Sequence, residues 1–400
     1  MRILKVVQFY HPFREKGGPV AKVRALARTL VKRGHFVTVL TADWGLRSRS
    51  SHGLQVERCE WGWHAGDDGV EVIYLHSLAH YRALTLNPRV LQFCRVFHDR
   101  FDLVHFYGLY DLLGPAVSLY CRRKSLPYLI EPMGMYRPID RGWVRKSVWH
   151  RSLGRAFCGG AAQFVATAEI ERDRLIEDGV PREKVVVRYN GVDFDLAAGT
   201  APQRGQFRHQ WNIPSDEPLI LFLSRLIPRK GADMVIEAFA RACPKSGRLA
   251  IAGPEGERGY RAELEKRAKE SGVAERILFT GPLYEADKMA ALDGADLFVL
   301  PSRYENFANV ATEAMSRGVP VIVSDSCGIA SLVQGEAGLV IPPRADALTE
   351  ALGMMIGDKA LYAQFQAGCK RVANRLSWDD LAVQMEHHYA QALTSRKKFS

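Results

Sequence analysis

Short apolar runs alternate with amphipathic stretches along almost the whole chain. In the first half the runs fall at Ile3–Phe9, Phe36–Thr41, Val70–Leu75, Leu103–Phe106, Pro127–Ile130, Gln163–Ala166 and Val185–Arg188. Continuous apolar runs of this length suit strands buried on both faces. The stretch Pro19–Lys32 between the first two runs has helical spacing, and Pro fits a first helical turn. Strand and helix repeating in this order predict parallel strands joined by crossovers, an α/β doubly wound sheet. From Asn190 to Pro218 the pattern loosens around Gly191, Gly199, Pro202, Gly205 and Pro214, which predicts a linker. The alternation then restarts with runs at Leu219–Ser224, Arg248–Ala252, Ile277–Thr280, Leu297–Leu300, Pro320–Val323 and Gly338–Ile341, and a last helix at Trp378–Leu393. The expectation is two Rossmann-like domains, 1–195 and 205–375, facing a central cleft. Loops at the carboxyl ends of the strands are then the place to look for chemistry.

Composition narrows this picture without redirecting it. A length of 400 residues fits two domains, and 47% apolar with 25% charged residues fits a globular protein. There is no apolar run long enough to span a bilayer. Lys5 and Gln8 interrupt the first run, which reads as a strand and not as a secretion signal. The seven cysteines are widely spaced without zinc-ligand or redox spacing, as expected of buried thiols in a reducing cytoplasm.

Charge changes the picture more. The formal net charge is +11, and residues 1–195 carry 30 Lys and Arg against 20 Asp and Glu. Residues 196–400 carry 25 against 24. The stretch 122–155 is the densest, with Arg122, Arg123, Lys124, Arg137, Arg141, Arg145, Lys146, Arg151 and Arg155 against Glu131 and Asp140. Trp143, Val144, Val148, Trp149 and Leu153 lie among these bases, a composition that suits an interfacial helix on an anionic membrane. The competing reading makes both tryptophans core residues and has the bases grip a soluble phosphorylated acceptor. Nothing in the chain has the make-up of a nucleic-acid-binding module.

Three segments carry candidate chemistry. Gly17-Gly18 sits between the first strand and its helix, where paired glycines serve either a phosphate cradle or a tight turn. SRLIPRKG, residues 224–231, puts Arg225 and Lys230 directly after a strand, as a diphosphate clamp or as an ordinary basic loop. PSRYENFANVATEAMSRGVPVIVSD, residues 301–325, predicts a loop to Phe307 and a helix over Asn309–Arg317. Glu305 then lies in the loop and Glu313 one turn inside the helix, where a carboxylate can accept bonds from vicinal ribose hydroxyls. The amides of Asn306, Phe307, Ala308, Asn309 and Val310 can hold sugar hydroxyls and phosphate oxygens. Two surface acids would give the same spacing.

Taken together in this order, with NGVD at 190–193, EAMSRGVPVI at 313–322 and Ser377-Trp378, these segments resemble the retaining glycosyltransferases of family 4, which have the GT-B fold. The resemblance spans nearly the whole chain. It implies that Gly17 and Gly18 approach a donor diphosphate, that Arg225 and Lys230 neutralise it, that Glu305 contacts the donor sugar and that Glu313 contacts the ribose. It places Leu283 of FTGPLYEADK beside the nucleobase and returns the terminal helix, residues 376–400, to the first domain. It implies a nucleotide-diphosphate sugar as donor substrate, no further cofactor and no metal, and a saccharide or polyprenyl-phosphate-linked acceptor. It also implies work in cell-surface polysaccharide or glycoconjugate synthesis, in the cytoplasm or on the inner face of its membrane. On the acceptor side the sequence departs from the family. His105 matches the first position of a His-x-His or is a core histidine, Tyr107 stands at the second, and Met133 stands where relatives often have histidine. An epimerase or phosphorylase of the same fold, or a silent binding homologue, are the alternatives.

Overall fold

The computed structural model describes residues 1–400 except 14–17, 45, 47–49, 52–53, 82–83, 138–142, 193–203, 244–245 and 397–400. It also gives no side-chain account of residues 50–51, 97–98, 143, 204 and 395–396. The chain divides into two units, Met1–Tyr189 with Trp378–Ser400, and Asn190–Ser377.

In the first unit the apolar runs become strands because each offers its side chains to helices on both sides. The strands are β1 (Arg2–Val7), β2 (Phe36–Ala42), β3 (Ser50–Ser51), β4 (Leu54–Gln55), β5 (Glu57–Cys59), β6 (Gly62–Asp67), β7 (Val70–Leu75), β8 (Ala79–Tyr81), β9 (Leu84–Leu86), β10 (Leu103–Tyr107), β11 (Tyr128–Glu131), β12 (Gln163–Ala166) and β13 (Val185–Val187). Nine of them form one sheet in the order β13-β12-β11-β10-β1-β2-β7-β6-β5. It is parallel from β13 to β7 and antiparallel at its β6–β5 edge. That edge and the separate β8–β9 hairpin escape the sequence pattern. GWHAGD and ERC have no apolar run, and the hairpin is exposed on most of its length.

The helix Gly18–Lys32 buries Val20, Val23, Leu26, Ala27 and Leu30, a stripe at helical spacing. The terminal helix Trp378–Arg396 joins the same core through Trp378, Leu381, Ala382, Met385, Tyr389 and Ala392. Full burial of each large side chain there contributes about 1.5–3 kcal/mol. The opposite face of the sheet packs on the helices Val90–Phe97, Leu113–Arg123 and Leu153–Gly159, through Phe93, Val117 and Phe157 among others.

The second unit is a parallel sheet of β14 (Leu219–Leu223), β15 (Arg248–Ala252), β16 (Ile277–Gly281), β17 (Leu297–Leu300), β18 (Val321–Ser324) and β19 (Gly338–Ile341). Its order, β16-β15-β14-β17-β18-β19, reverses direction between β14 and β17. The stretch read as a linker is shorter than expected. A helix at Arg204–Gln210 falls inside it, with Phe207 buried and Arg208 bonded to Asp296 at 2.6 Å. The units meet in sequence between Tyr189 and Asn190, ahead of residue 195. Val192 donates to the Leu376 carbonyl at 2.8 Å, so both ends of the second unit are tied to each other. All seven thiols are free, but only five are buried, with Cys59 and Cys158 partly exposed. No helix among the described residues is long and apolar enough to cross a membrane.

Candidate functional site

In the second unit the chemistry collects where the strand order reverses. In doubly wound sheets ligands bind outside the carboxyl ends of the strands at such a reversal. After β14, Arg225 is exposed, and a short 3₁₀ turn at Pro228–Lys230 brings Lys230 almost wholly under cover. Gly231 follows in the left-handed region at φ 79° and precedes the helix Ala232–Ala242. A Cβ on Gly231 would stand 2.7 Å from the Pro301 carbonyl oxygen, so only glycine lets this turn lie against the loop after β17.

That second loop is laced to its neighbour. Glu305 donates its amide to the Ser326 carbonyl at 3.2 Å, and Gly328 and Ile329 donate to the carbonyls of Glu305 and Phe307, each at 3.1 Å. So braced, the loop presents the Glu305 carboxylate to the Lys230 ammonium, with which it forms an ion pair. Phe307 and Ala308 are buried and line no open surface. Ala308 adopts a left-handed φ of 81° and launches the helix Asn309–Ser316. The first amides of that helix, at Asn309 and Val310, have no carbonyl of their own helix to bond. Asn190 donates to Asn309 Oδ1 at 2.8 Å. Within the helix, Glu313 Oε1 receives Lys288 Nζ at 2.8 Å, whereas its Oε2 is buried without a hydrogen-bond partner. Leu283 is half-buried just ahead of the helix Glu285–Gly294, which carries Lys288. Arg225, Lys230, Glu305 and Glu313 thus belong to one end of one sheet, as does Leu283 beyond β16. Lys288 escapes the sequence reading, since a lone lysine in EADKMAAL signals nothing until its partner is known.

In the first unit Gly18 begins its helix and is exposed, while Gly17 lies outside the described residues. The acceptor-side expectation for His105 and Tyr107 needs correction. Both side chains are buried, 0% and 2% exposed, on β10. His105 Nδ1 lies 2.8 Å from Tyr389 Oη and 3.0 Å from Tyr107 Oη, and Lys5 Nζ donates to Tyr107 Oη at 2.6 Å. Behind them Glu131 is fully buried, ion-paired with Lys22 and, at 2.6 Å, with Arg188. Burial pushes the Glu131 carboxyl up, but Arg188 and Lys22 outweigh burial and hold it below its ordinary value. Burial, then the charge of Arg188, drives the Lys5 ammonium well below its usual range. Burial and the Lys5 charge do the same to His105, which is therefore neutral. These side chains bind the sheet to the terminal helix and touch nothing outside the fold. The one signal in the sequence was Lys5, a charge inside an otherwise apolar run. Met133 differs from His105 and Tyr107: it is half-buried at φ 55° in the loop after β11, where Glu171 accepts from the Gly134 amide.

The basic stretch 122–155 also divides. Val144, Val148 and Leu153 are exposed beside Arg145, Arg151 and Arg155. Trp149 instead packs at 5.2 Å between ring centroids on Tyr110 and edges Phe157, so it serves the core and not a membrane. Arg137 is held by Glu177 and Asp178. Arg141 and the Trp143 side chain lie outside the described residues.

Comparison with known proteins decides what this frame is. The family described as "Glycosyltransferase Family 4" matches residues 16–196, and "Glycosyl transferases group 1" matches residues 203–371. The chain belongs to glycosyltransferase family 4. Similar proteins include a D-inositol 3-phosphate glycosyltransferase of Xylanimonas cellulosilytica, 28% identical over 96% of this chain and 93% of that one. A GDP-mannose-dependent alpha-(1-6)-phosphatidylinositol monomannoside mannosyltransferase of Mycobacterium tuberculosis is 29% identical over 68% of this chain and 79% of its own. Among solved structures, Anabaena HepE in complex with UDP and glucose superposes with a TM-score of 0.75 at 21% identity, covering 98% of this chain and 99% of that one. That likeness shows the GT-B fold. As a glycosyltransferase of this family, the protein uses a nucleotide-sugar donor.

Proposed function

We propose that this glycosyltransferase acts with retention of configuration and without a bound metal, on an acceptor that carries phosphate or a lipid. The observation that carries the reading is the reversal point between β14 and β17. Arg225 and Lys230 follow one strand, while Glu305 and the open helix amides follow the other. A diphosphate fits between cations and amides, and a ribose hydroxyl fits the unpartnered Glu313 oxygen. Glu305, paired with Lys230, is the group to orient the transferred sugar. In the step itself the bond from the anomeric carbon to the diphosphate oxygen breaks, and a bond to the acceptor oxygen forms on the same face. The departing phosphate takes the acceptor's proton, so no side-chain base is required. Arg225 and Lys230 stabilise the charge that develops on the leaving group.

The basic first unit supports an anionic acceptor, as do the inositol phosphate and phosphatidylinositol glycoside in the names of two relatives. On this reading the product is a cell-surface polysaccharide or glycoconjugate, and the enzyme works in the cytoplasm against the inner face of its membrane. An epimerase or a phosphorylase would use the same phosphate site without a saccharide acceptor.

The deciding experiment is a thermal-shift panel of UDP, GDP, ADP and their sugars. A true donor at 100 times its Kd stabilises the protein by about 2.7 kcal/mol. Turnover of that donor must then release free nucleotide only when an acceptor is added, with EDTA making no difference and the product keeping the donor's anomeric configuration. Nucleotide release without acceptor would favour the alternative.

A further inference from the structure

The β8–β9 hairpin is built against the usual economy of a soluble surface. Its two strands pair only with each other, and an isolated two-stranded ribbon is marginal in water. Leu78 is 67% exposed, Tyr81 61% and Leu86 49%, with Leu84 exposed beside them. Only Asn87–Arg89 separate the hairpin from the helix Val90–Phe97. That helix buries Val90, Phe93 and Cys94 and turns Leu91, Gln92, Arg95 and Val96 outward, with Leu91 52% and Val96 61% exposed. Large apolar side chains are thus crowded at the surface of one short segment.

Two further observations say what covers them. From Val72 to His98 the sequence has no Asp or Glu, but it has Arg82, Arg89 and Arg95 and three histidines. An apolar segment whose own charged residues are all basic fits an anionic interface. It fits a second copy of itself poorly, because twofold pairing would set arginine against arginine. The hairpin is also anchored at the carboxyl ends of β1 and β2. Gln8, just past β1, donates to Thr85 Oγ1 at 2.9 Å, and His80 lies 5.1 Å between ring centroids from Trp44, just past β2.

We propose that the β8–β9 hairpin and the outward face of the helix Val90–Phe97 dock the first unit on an anionic lipid bilayer, delivering a lipid-linked acceptor to the carboxyl ends of β1 and β2. The proposal rests on the lipid-linked form of the acceptor reading for its purpose. Leucines enter the acyl boundary while arginines meet the headgroups, the division seen in interfacial anchors. The 122–155 stretch differs: its exposed apolar residues are smaller and fewer, and its tryptophan at 149 is committed to the core.

The test is co-sedimentation of the full chain with vesicles of phosphatidylglycerol and phosphatidylcholine in equal parts. Wild type is expected to pellet at low salt and to retain part of its binding at high salt, because apolar insertion is not screened. The surface variant Leu84→Glu/Leu86→Glu/Leu91→Glu is expected to lose about tenfold or more in vesicle affinity. Arg145→Glu/Arg151→Glu/Arg155→Glu is expected to lose less. Folding of both variants is checked by an unchanged thermal shift with the best nucleotide. Wild type that ignores these vesicles overturns the proposal. So does a leucine variant that binds like wild type, or a wild-type dimer in sedimentation that the leucine variant dissolves. If no nucleotide stabilises wild type while vesicle binding stands, the transferase reading fails and the docking surface survives.

Discussion

Each unit gathers charge at the carboxyl end of its sheet, but the two gatherings are treated in opposite ways. In the first unit Lys22, Glu131 and Arg188 are 5% exposed or less, with Glu131 ion-paired to both bases, and Lys5 is buried on Tyr107. In the second, the side chains of Glu305 and Glu313 remain 19% and 27% exposed, each held by one lysine. Charges sealed from water can only stabilise or destabilise the fold. Charges half open and singly paired can exchange a partner for a ligand. Burial, more than residue type, separates a structural cluster from a reactive one.

The largest break in this comparison is Glu131→Ala. Removing the acid leaves Lys22 and Arg188 buried without compensation, which costs about 3–5 kcal/mol. Urea unfolding measures it, and a loss below about 1 kcal/mol would mean water already reaches the cluster. Next comes the reactive side. Arg225→Ala and Lys230→Ala should each lower turnover about 100-fold while the unfolding midpoint moves little for the exposed Arg225. Normal turnover in the double variant would reduce both to surface bases. Glu313→Ala should weaken nucleotide binding by about 1.5–3 kcal/mol, read by calorimetry, through loss of a charged acceptor. Unchanged affinity would remove Glu313 from the ribose.

The sealed cluster also makes a pH prediction. His105 is held neutral below its ordinary value of 6.5, so the unfolded chain binds the extra proton first. Its stabilisation is complete above that value and is lost as pH falls through it. The depressed Glu131 adds a loss of the same sign at lower pH. His105→Gln should flatten the upper part of this profile. A profile as steep as wild type would assign the proton elsewhere.

Both sheets were legible because buried parallel strands must be written as apolar runs. Val70–Leu75, Gln163–Ala166, Arg248–Ala252, Leu297–Leu300 and Gly338–Ile341 coincide with their strands. The antiparallel strand GWHAGD was not legible, since two glycines and alternating polarity leave no run to read. Of the site, Glu305 and Glu313 could be read from local spacing, because a loop and a helix within 301–325 carry them, and Arg225 and Lys230 because they directly follow the apolar run of β14. His105 and Tyr107 sit at equally suggestive positions, but their fate depends on Lys5, Glu131, Arg188 and Tyr389, which come from four distant segments. No local pattern contains that encounter.

The smallest effect probes the half-open pair itself. Lys288 Nζ occupies Glu313 Oε1 at 2.8 Å, and Oε2 is buried without a hydrogen-bond partner. If a ribose hydroxyl takes Oε2 while Lys288 stays, the lysine orients the carboxylate, and Lys288→Met should weaken nucleotide binding. Both side chains are partly exposed, 24% and 27%, so the effect is bounded by a surface ion pair, up to about 1 kcal/mol or about fivefold in Kd. Added salt should shrink the difference between wild type and variant, because salt already screens the pair. Tighter binding by Lys288→Met would have another meaning. The nucleotide would then displace the ammonium, and the ion pair would be a competitor that donor binding must break.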